Sequence, residues 1–257
     1  MKIDLNADLG EGFGPWKMGE DEALMALISS ANVACGFHAG DPLIMDATVR
    51  NAKAQGIDLG AHVGFPDLQG FGRRRMNVEI RELCCMVVYQ LGALAGIAAA
   101  AGYRVSHMSL HGALGNMAAA DADLATPLIR AVASFDPNII ISSSTSQAIE
   151  RAAEQCGLRV ATTFLADRAY DDDCLLVPRG TPGAVVSDHG QVMARISQLL
   201  EDGTVTTITG KRVAVNARSI LLHGDTPGAV SFARSIRDSI ERQGGVITPI
   251  TQLLGGS

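Results

Sequence analysis

Short apolar runs alternate with longer amphipathic stretches along the whole chain, and the two spacings predict strands and helices in regular succession. Lys2–Ala7 reads as a strand, Asp21–Ser29 as a helix and Ala31–Phe37 as a second strand. The following helix is punctuated at both ends: Asp41 caps it, Pro42 suits its first turn, and Gly56 stops it after Gln55. Ile57–Ala61 gives a short strand, and Val78–Ala101 a long apolar helix that ends at Gly102. Strand Val105–Leu110, helix Asp123–Ser134, strand Ile139–Ser143, helix Thr145–Gln155 and strand Arg159–Phe164 continue the rhythm. Strand Ser219–Leu222 and helix Pro227–Gln243 bring the succession to seven strands, six of them followed by a predicted helix. Repeated βαβ units call for a parallel sheet with helices outside it, and 257 residues are enough to close that sheet. The predicted fold is therefore α/β, a seven-stranded parallel β/α barrel forming one domain over residues 1–257.

Two stretches break the rhythm. Ala166–Val186 is long and polar, carries Asp171, Asp172 and Asp173, and is a candidate lid or docking element. Thr204–Val215 reads as a small β excursion turning at Gly210.

Four of the six histidines occupy the same kind of place, directly after an apolar run and beside glycine: His38, His62, His111 and His223. In a β/α barrel those places are the C-terminal strand ends, where functional groups gather. Histidine exchanges protons near neutral pH and ligates metals, so four placed alike point to a shared active-site mouth. The first strand adds Asp4, Asn6 and Asp8 on one side; inward-facing polar groups are costly to bury unless they bind something, which makes Asp8 and Asn6 candidates. Asp41 places a helix start beside His38, a setting that favours anions. Arg73, Arg168 and Arg179 fall in loops at strand ends and suit the clamping of a carboxylate or phosphate, and Asp167, paired in sequence with Arg168 at the end of the sixth strand, shares that site position. His107 and His189 lack the strand-end setting and read as ordinary residues. Asp8, His38, His62 and His111 are also metal-ligating types, yet no close HExxH-like spacing marks a metal centre, so metal binding stays open at this level.

Composition narrows the partners. A net charge of −6 with few aromatics removes the basic footprint of a nucleic-acid binder. Cys35, Cys84, Cys85, Cys156 and Cys174 form an odd set without a CxxC pair, and no basic segment with an apolar core opens the chain; together these suggest a reduced, cytoplasmic protein with no membrane association. The apolar stretch around Met86–Ala101 is interrupted by Gln90, Gly92 and Gly96 and reads as a packed helix. There is no Walker A loop, GxGxxG or Gly-x-Ser-x-Gly elbow, so any ATP chemistry is housed elsewhere or in an unfamiliar site.

The N-terminal run Lys2–Glu11 and the run Ser30–Asp41 resemble the LamB/YcsF family, whose members serve as the A component of bacterial 5-oxoprolinase. The likeness continues through Gly60-Ala61-His62, Phe65-Pro66-Asp67, Phe71-Gly72-Arg73-Arg74, Ala166-Asp167-Arg168, Val177-Pro178-Arg179 and Leu222-His223-Gly224-Asp225. The resemblance implies a barrel akin to the glycoside hydrolase/deacetylase folds. It also implies ATP-dependent hydrolytic opening of 5-oxoproline, a small carboxylate lactam, to glutamate, with partner subunits B and C supplying the ATP chemistry. Ser109, Leu110 and Gly115 stand where the family usually has lysine, proline and tyrosine, and Thr163 where it has glutamate, the marks of a divergent member. In this reading Asp8 and His38 act as general base and its partner or water-positioning group, and His111 as acid to the leaving nitrogen. Asn6, Asp41, His62, Arg73, Asp167, Arg168, Arg179 and His223 hold the substrate. The alternatives are a paralogue with altered substrate, a non-catalytic binding protein within the complex, and a stand-alone metal-dependent deacetylase or amidohydrolase.

Overall fold

Alternation in the first strand sets the two faces of the sheet. In the computed structural model, which describes residues 1–226 and 228–255, β1 (Lys2–Leu9) sends Leu5, Ala7 and Leu9 into the main apolar core, while Asp4, Asn6 and Asp8 are buried among polar groups of other strands. Along the chain follow α1 (Asp21–Met25), β2 (Ser30–Ala34), α2 (Pro42–Gln55), β3 (Asp58–Val63), α3 (Ile80–Ala100), β4 (Val105–Leu110), α4 (Gly112–Ala120), α5 (Ala122–Phe135), β5 (Ile140–Ser144), α6 (Gln147–Gln155) and β6 (Val160–Leu165). Then come α7 (His189–Asp202), β7 (Thr204–Thr206), β8 (Arg212–Ala214), β9 (Ser219–Leu222), α8 (Ala229–Arg242), β10 (Val246–Ile247) and α9 (Ile250–Leu253).

β1 to β6 pair in sequence order, all parallel, and β9 pairs with both β6 and β1, closing a seven-stranded barrel. All seven expected strands are present. β10 adds a two-residue parallel pairing at the start of β1, and β7–β8 form the expected antiparallel excursion. Helices cover the outer face. The longest, α3, is by length and composition apolar enough to cross a membrane, but here it lays Leu83, Val87, Leu91, Leu94 and Ala98 onto the barrel and α5. Burial of each leucine contributes about 1.5–3 kcal/mol.

α2 follows its sequence signals residue for residue: the Asp41 carboxylate accepts from Leu43 and Ile44 N–H, and Gly56 ends the helix in the left-handed region. Other bounds move. α1 stops at Met25 because the chain must turn for Ser29 and Ser30 to reach Asp4, and β2 ends at Ala34 because Gly36 turns the chain at φ +90°. α4 was hidden by Gly112 and Gly115 in its first turn, and α7 by the polar insertion before it. The expected start of the last long helix, Pro227, lies outside the described residues.

Candidate active site

Inside the barrel, polar side chains stack in layers from the N-terminal to the C-terminal end. At the lower end Asp4 accepts from the hydroxyls of Ser30 (2.6 Å), Ser29 (2.7 Å) and Ser219 (2.5 Å). Burial raises its pKa to about 6, against the pull of those hydrogen bonds. Asn6 lies one layer higher, fully buried, and neither amide atom has a hydrogen-bond partner among the described residues. Above it the Asn32 amide donates to Asp8 (2.9 Å), and Asn32 Oδ1 faces His107 Nε2 at 3.1 Å. This layer depends on Gly60, where a Cβ would run into the His107 ring.

At the mouth the loops after β1, β2, β3 and β4 converge. Glu11 turns inward past Gly10, and its carboxylate lies 3.3 Å from His38 Nε2 and 3.8 Å from His111 Nδ1. His38 and His111 stack with ring centroids 3.8 Å apart, and His62 meets His111 edge-on. His111 Nε2 faces the Phe71 carbonyl at 2.8 Å; a carbonyl only accepts, so this nitrogen carries the proton and Nδ1 presents its lone pair. That lone pair is 2.9 Å from His62 Nε2, which also lies 3.5 Å from Asp8; His62 Nδ1 faces Ser109 Oγ at 2.6 Å. Gly72 closes the group from above: at φ +61° it brings the loop against both rings, where a Cβ would sit 2.7 Å from His38 Cβ and 2.8 Å from His111 Cδ2.

Burial dominates the electrostatics. It raises Asp8 to about 6, opposed by nearby His223 and the Asn32 hydrogen bond. Glu11 is pushed well above the ordinary carboxylate range by burial and then by repulsion from Asp8. His62 is lowered to about 3, and His38 and His111 well below 6.5, by burial and then chiefly by repulsion between neighbouring cationic forms. His223 is the exception. Burial opposes its charge, but the Asp167 carboxylate at 2.8 Å more than offsets that and raises its pKa above 6.5. Burial likewise opposes ionisation of Asp167, yet His223 and the Thr226 hydroxyl hold its pKa below 3.8.

These groups border a cavity of about 800 Å³ lined by Asp8, His62, His111, His223, Arg73 and Arg179 among others. Met108, Leu110, Met117, Ile149 and Leu176 add apolar surface to its lining. Arg73 pairs with Asp225 at 2.7 Å and lies over the Phe71 ring, while Arg179 forms no side-chain hydrogen bond among the described residues. The polar insertion supplies one wall. Tyr170 anchors it, buried and stacked on Phe164 with its hydroxyl accepting from Leu165 N–H, and Asp172 binds Thr207 and Thr209 beside the β7–β8 hairpin.

The cavity thus brings together Asp8, His62, Arg73, His111, Arg168, Arg179 and His223, with Asp167 behind His223. Besides Asp167, three expected residues do not line it. Asn6 is sealed within the barrel; Asp41 is occupied by Leu43, Ile44 and Gly14 N–H at the start of α2; and His38 stands behind His111, paired with Glu11 rather than with Asp8. Arg168 borders the cavity and also donates from Nε to the Ala184 carbonyl and from Nη2 to the Val177 carbonyl, which ties it to the insertion. Sequence reasoning missed Glu11, which follows β1 between Gly10 and Gly12 in the setting that singled out the histidines. It also missed His107, a link in the Asp8–Asn32 network, and the role of Ser109, which holds His62. Ser109 and Gly115 fit locally: a Cβ at residue 115 would collide with the Leu110 carbonyl oxygen.

Fold and site together define a parallel β/α barrel with a histidine- and carboxylate-lined cavity at its C-terminal face. The LamB/YcsF family model matches residues 3–255, and the chain belongs to that family. It is 81% identical over 255 residues to the first 5-oxoprolinase A component (numbered 1) of Pseudomonas syringae pv. tomato, covering 99% of this chain and 100% of the relative. It is 66% identical over 257 residues to the 5-oxoprolinase A component numbered 2 of Ralstonia nicotianae, covering 100% and 99%. Identity at this level corrects the expectation of a divergent member. Among solved structures, the lactam utilization protein of Thermus thermophilus superposes with a TM-score of 0.90 at 39% identity, over 97% of this chain and 100% of that one. A putative cellobiose-phosphate cleavage protein of Enterococcus faecalis shares the fold alone, with a TM-score of 0.56 at 12% identity.

Proposed function

We propose that the chain is the cytoplasmic lactam-hydrolysing component that opens 5-oxoproline to glutamate, consuming ATP together with partner subunits B and C, and that residues 1–257 work as one barrel domain. The relatives named as 5-oxoprolinase components and as a lactam utilization protein support the substrate class. The observation that carries the chemistry is that Asp8 and His223 both line the cavity. They follow one another across neighbouring strands, since Ala7 is in register with Leu222. One is a carboxylate raised to about 6, suited to accept a proton; the other is an imidazolium held by Asp167, suited to give one.

In this reading a water oxygen bonds to the ring carbonyl carbon as its proton passes to Asp8. The C–N bond breaks as the nitrogen takes the proton of His223. His223 replaces His111 as the acid, because both nitrogens of His111 are engaged, by Phe71 and by His62. Arg179 and Arg73 hold the substrate carboxylate. An unstrained lactam is a poor electrophile, and the chain has no familiar nucleotide loop, so phosphorylation of the carbonyl oxygen by ATP falls to the partners; C–N cleavage then leaves an acyl phosphate, and a second water releases glutamate and inorganic phosphate. Glutamate release from 5-oxoproline, measured with and without partner subunits and ATP, tests the reading. Release only with both is expected; no release from the complete mixture overturns it.

A further inference from the structure

The group at the mouth has a geometry that proton transfer alone does not require. Taking one ligand atom from each, Glu11, His38, His62 and His111 lie with those atoms all within 4.8 Å of one another, and all four residues are buried. A four-coordinate zinc ion with bonds of about 2.0–2.1 Å holds its ligands roughly 3.3–3.4 Å apart. The observed separations bracket that value: 2.9 Å between His62 Nε2 and His111 Nδ1, 3.3 Å between Glu11 and His38 Nε2, and 3.8 Å between Glu11 and His111 Nδ1.

Outer hydrogen bonds prepare two of the donors. The Phe71 carbonyl takes the Nε2 proton of His111 and leaves Nδ1 facing the group. Ser109 Oγ faces His62 Nδ1 at 2.6 Å; as acceptor there, it leaves the lone pair of His62 Nε2 facing inward too. Two imidazole lone pairs 2.9 Å apart repel unless a proton or a cation lies between them. Asp8, 3.5 Å from His62 Nε2, adds a second carboxylate, so Glu11 and Asp8 together balance a double positive charge. The nearest guanidinium, Arg73, is turned away, onto Asp225 and the Phe71 ring.

We propose that Glu11, His38, His62 and His111 bind one divalent transition-metal cation, and that zinc is the ion this set of three imidazoles and one carboxylate selects over magnesium or calcium. His62 and His111 also line the cavity, so the ion borders the space where the lactam is proposed to sit. The site stands on the geometry of the chain and does not depend on the substrate.

The test uses the full chain alone. Chelator-treated protein is incubated with zinc chloride or magnesium chloride, desalted, and measured for metal content and thermal unfolding. About one zinc per chain, a midpoint that rises with zinc concentration, and no retained magnesium are expected. Glu11→Gln and His38→Ala should each lower zinc retention at least tenfold with an unchanged far-ultraviolet circular dichroism spectrum, while surface His189→Ala retains it. Should those variants fail to fold, cobalt titration of the unaltered chain reads the same site, through the intense visible absorption of tetrahedral cobalt. Zinc below one-tenth per chain, no cobalt band, or full zinc retention in folded Glu11→Gln/His38→Ala overturns the proposal. No lactam, ATP or partner protein enters these measurements, so their failure and failure of the ring-opening assay are told apart.

Discussion

The two ends of the barrel each bury an aspartate of β1 whose pKa is raised to about 6, yet they are built for different ends. At the lower end three serine hydroxyls converge on Asp4, which is fully buried, and its acceptor capacity is used within the fold. At the mouth Asp8 has one short side-chain hydrogen bond, from Asn32, and otherwise faces His62, His223 and a cavity. A perturbed pKa therefore does not mark a reactive group by itself. What separates the two is unspent hydrogen-bonding capacity facing a space that a substrate can enter.

Substitution at the two ends should break the symmetry most sharply. Asp8→Asn, which keeps shape and removes the base, is expected to lower kcat in the reconstituted glutamate-release assay by about 10²–10⁴-fold with a near-unchanged melting temperature. Asp4→Asn should do the reverse. It keeps turnover but trades a two-oxygen acceptor for one oxygen and an amide, at a cost of about 1–3 kcal/mol read from urea unfolding. Equal loss of activity in both folded variants would dissolve the comparison.

His223→Gln comes next, with a loss of about 10²-fold and disappearance of the alkaline limb of the pH–rate profile. The profile itself carries the sign. Asp8 works as the ionised base, so kcat/KM should fall as pH drops through about 6. His223 works protonated, so the rate should fall again as pH rises past its elevated value. A rate that is flat between pH 5 and 7 would remove Asp8 from the role.

Gly60→Ala probes the layer between the two ends. The new Cβ meets the His107 ring, and overpacking of this kind costs about 1–3 kcal/mol, seen as a lower unfolding midpoint. Ser109→Ala is the mildest change. It removes the hydroxyl that orients His62, at about 1 kcal/mol, and should lower kcat several-fold while leaving KM for 5-oxoproline unchanged.

By itself the sequence determined the architecture: seven apolar runs separated by helices leave a parallel barrel as the way to bury them, and the Asp41–Pro42–Gly56 signals that bound α2 are local chemistry acting over a few residues. It also marked His62, His111 and His223, because a residue that follows a strand in a β/α barrel falls at one end of it. Only the tertiary structure decided who meets whom. His38 pairs with Glu11 and not Asp8, Asp41 is consumed as a cap, Arg168 is tied to the insertion, and Glu11 joins the group through the turn at Gly10. Those outcomes depend on loop closure and on side-chain directions at the barrel mouth, set by contacts between strands far apart in sequence, and no local spacing encodes them.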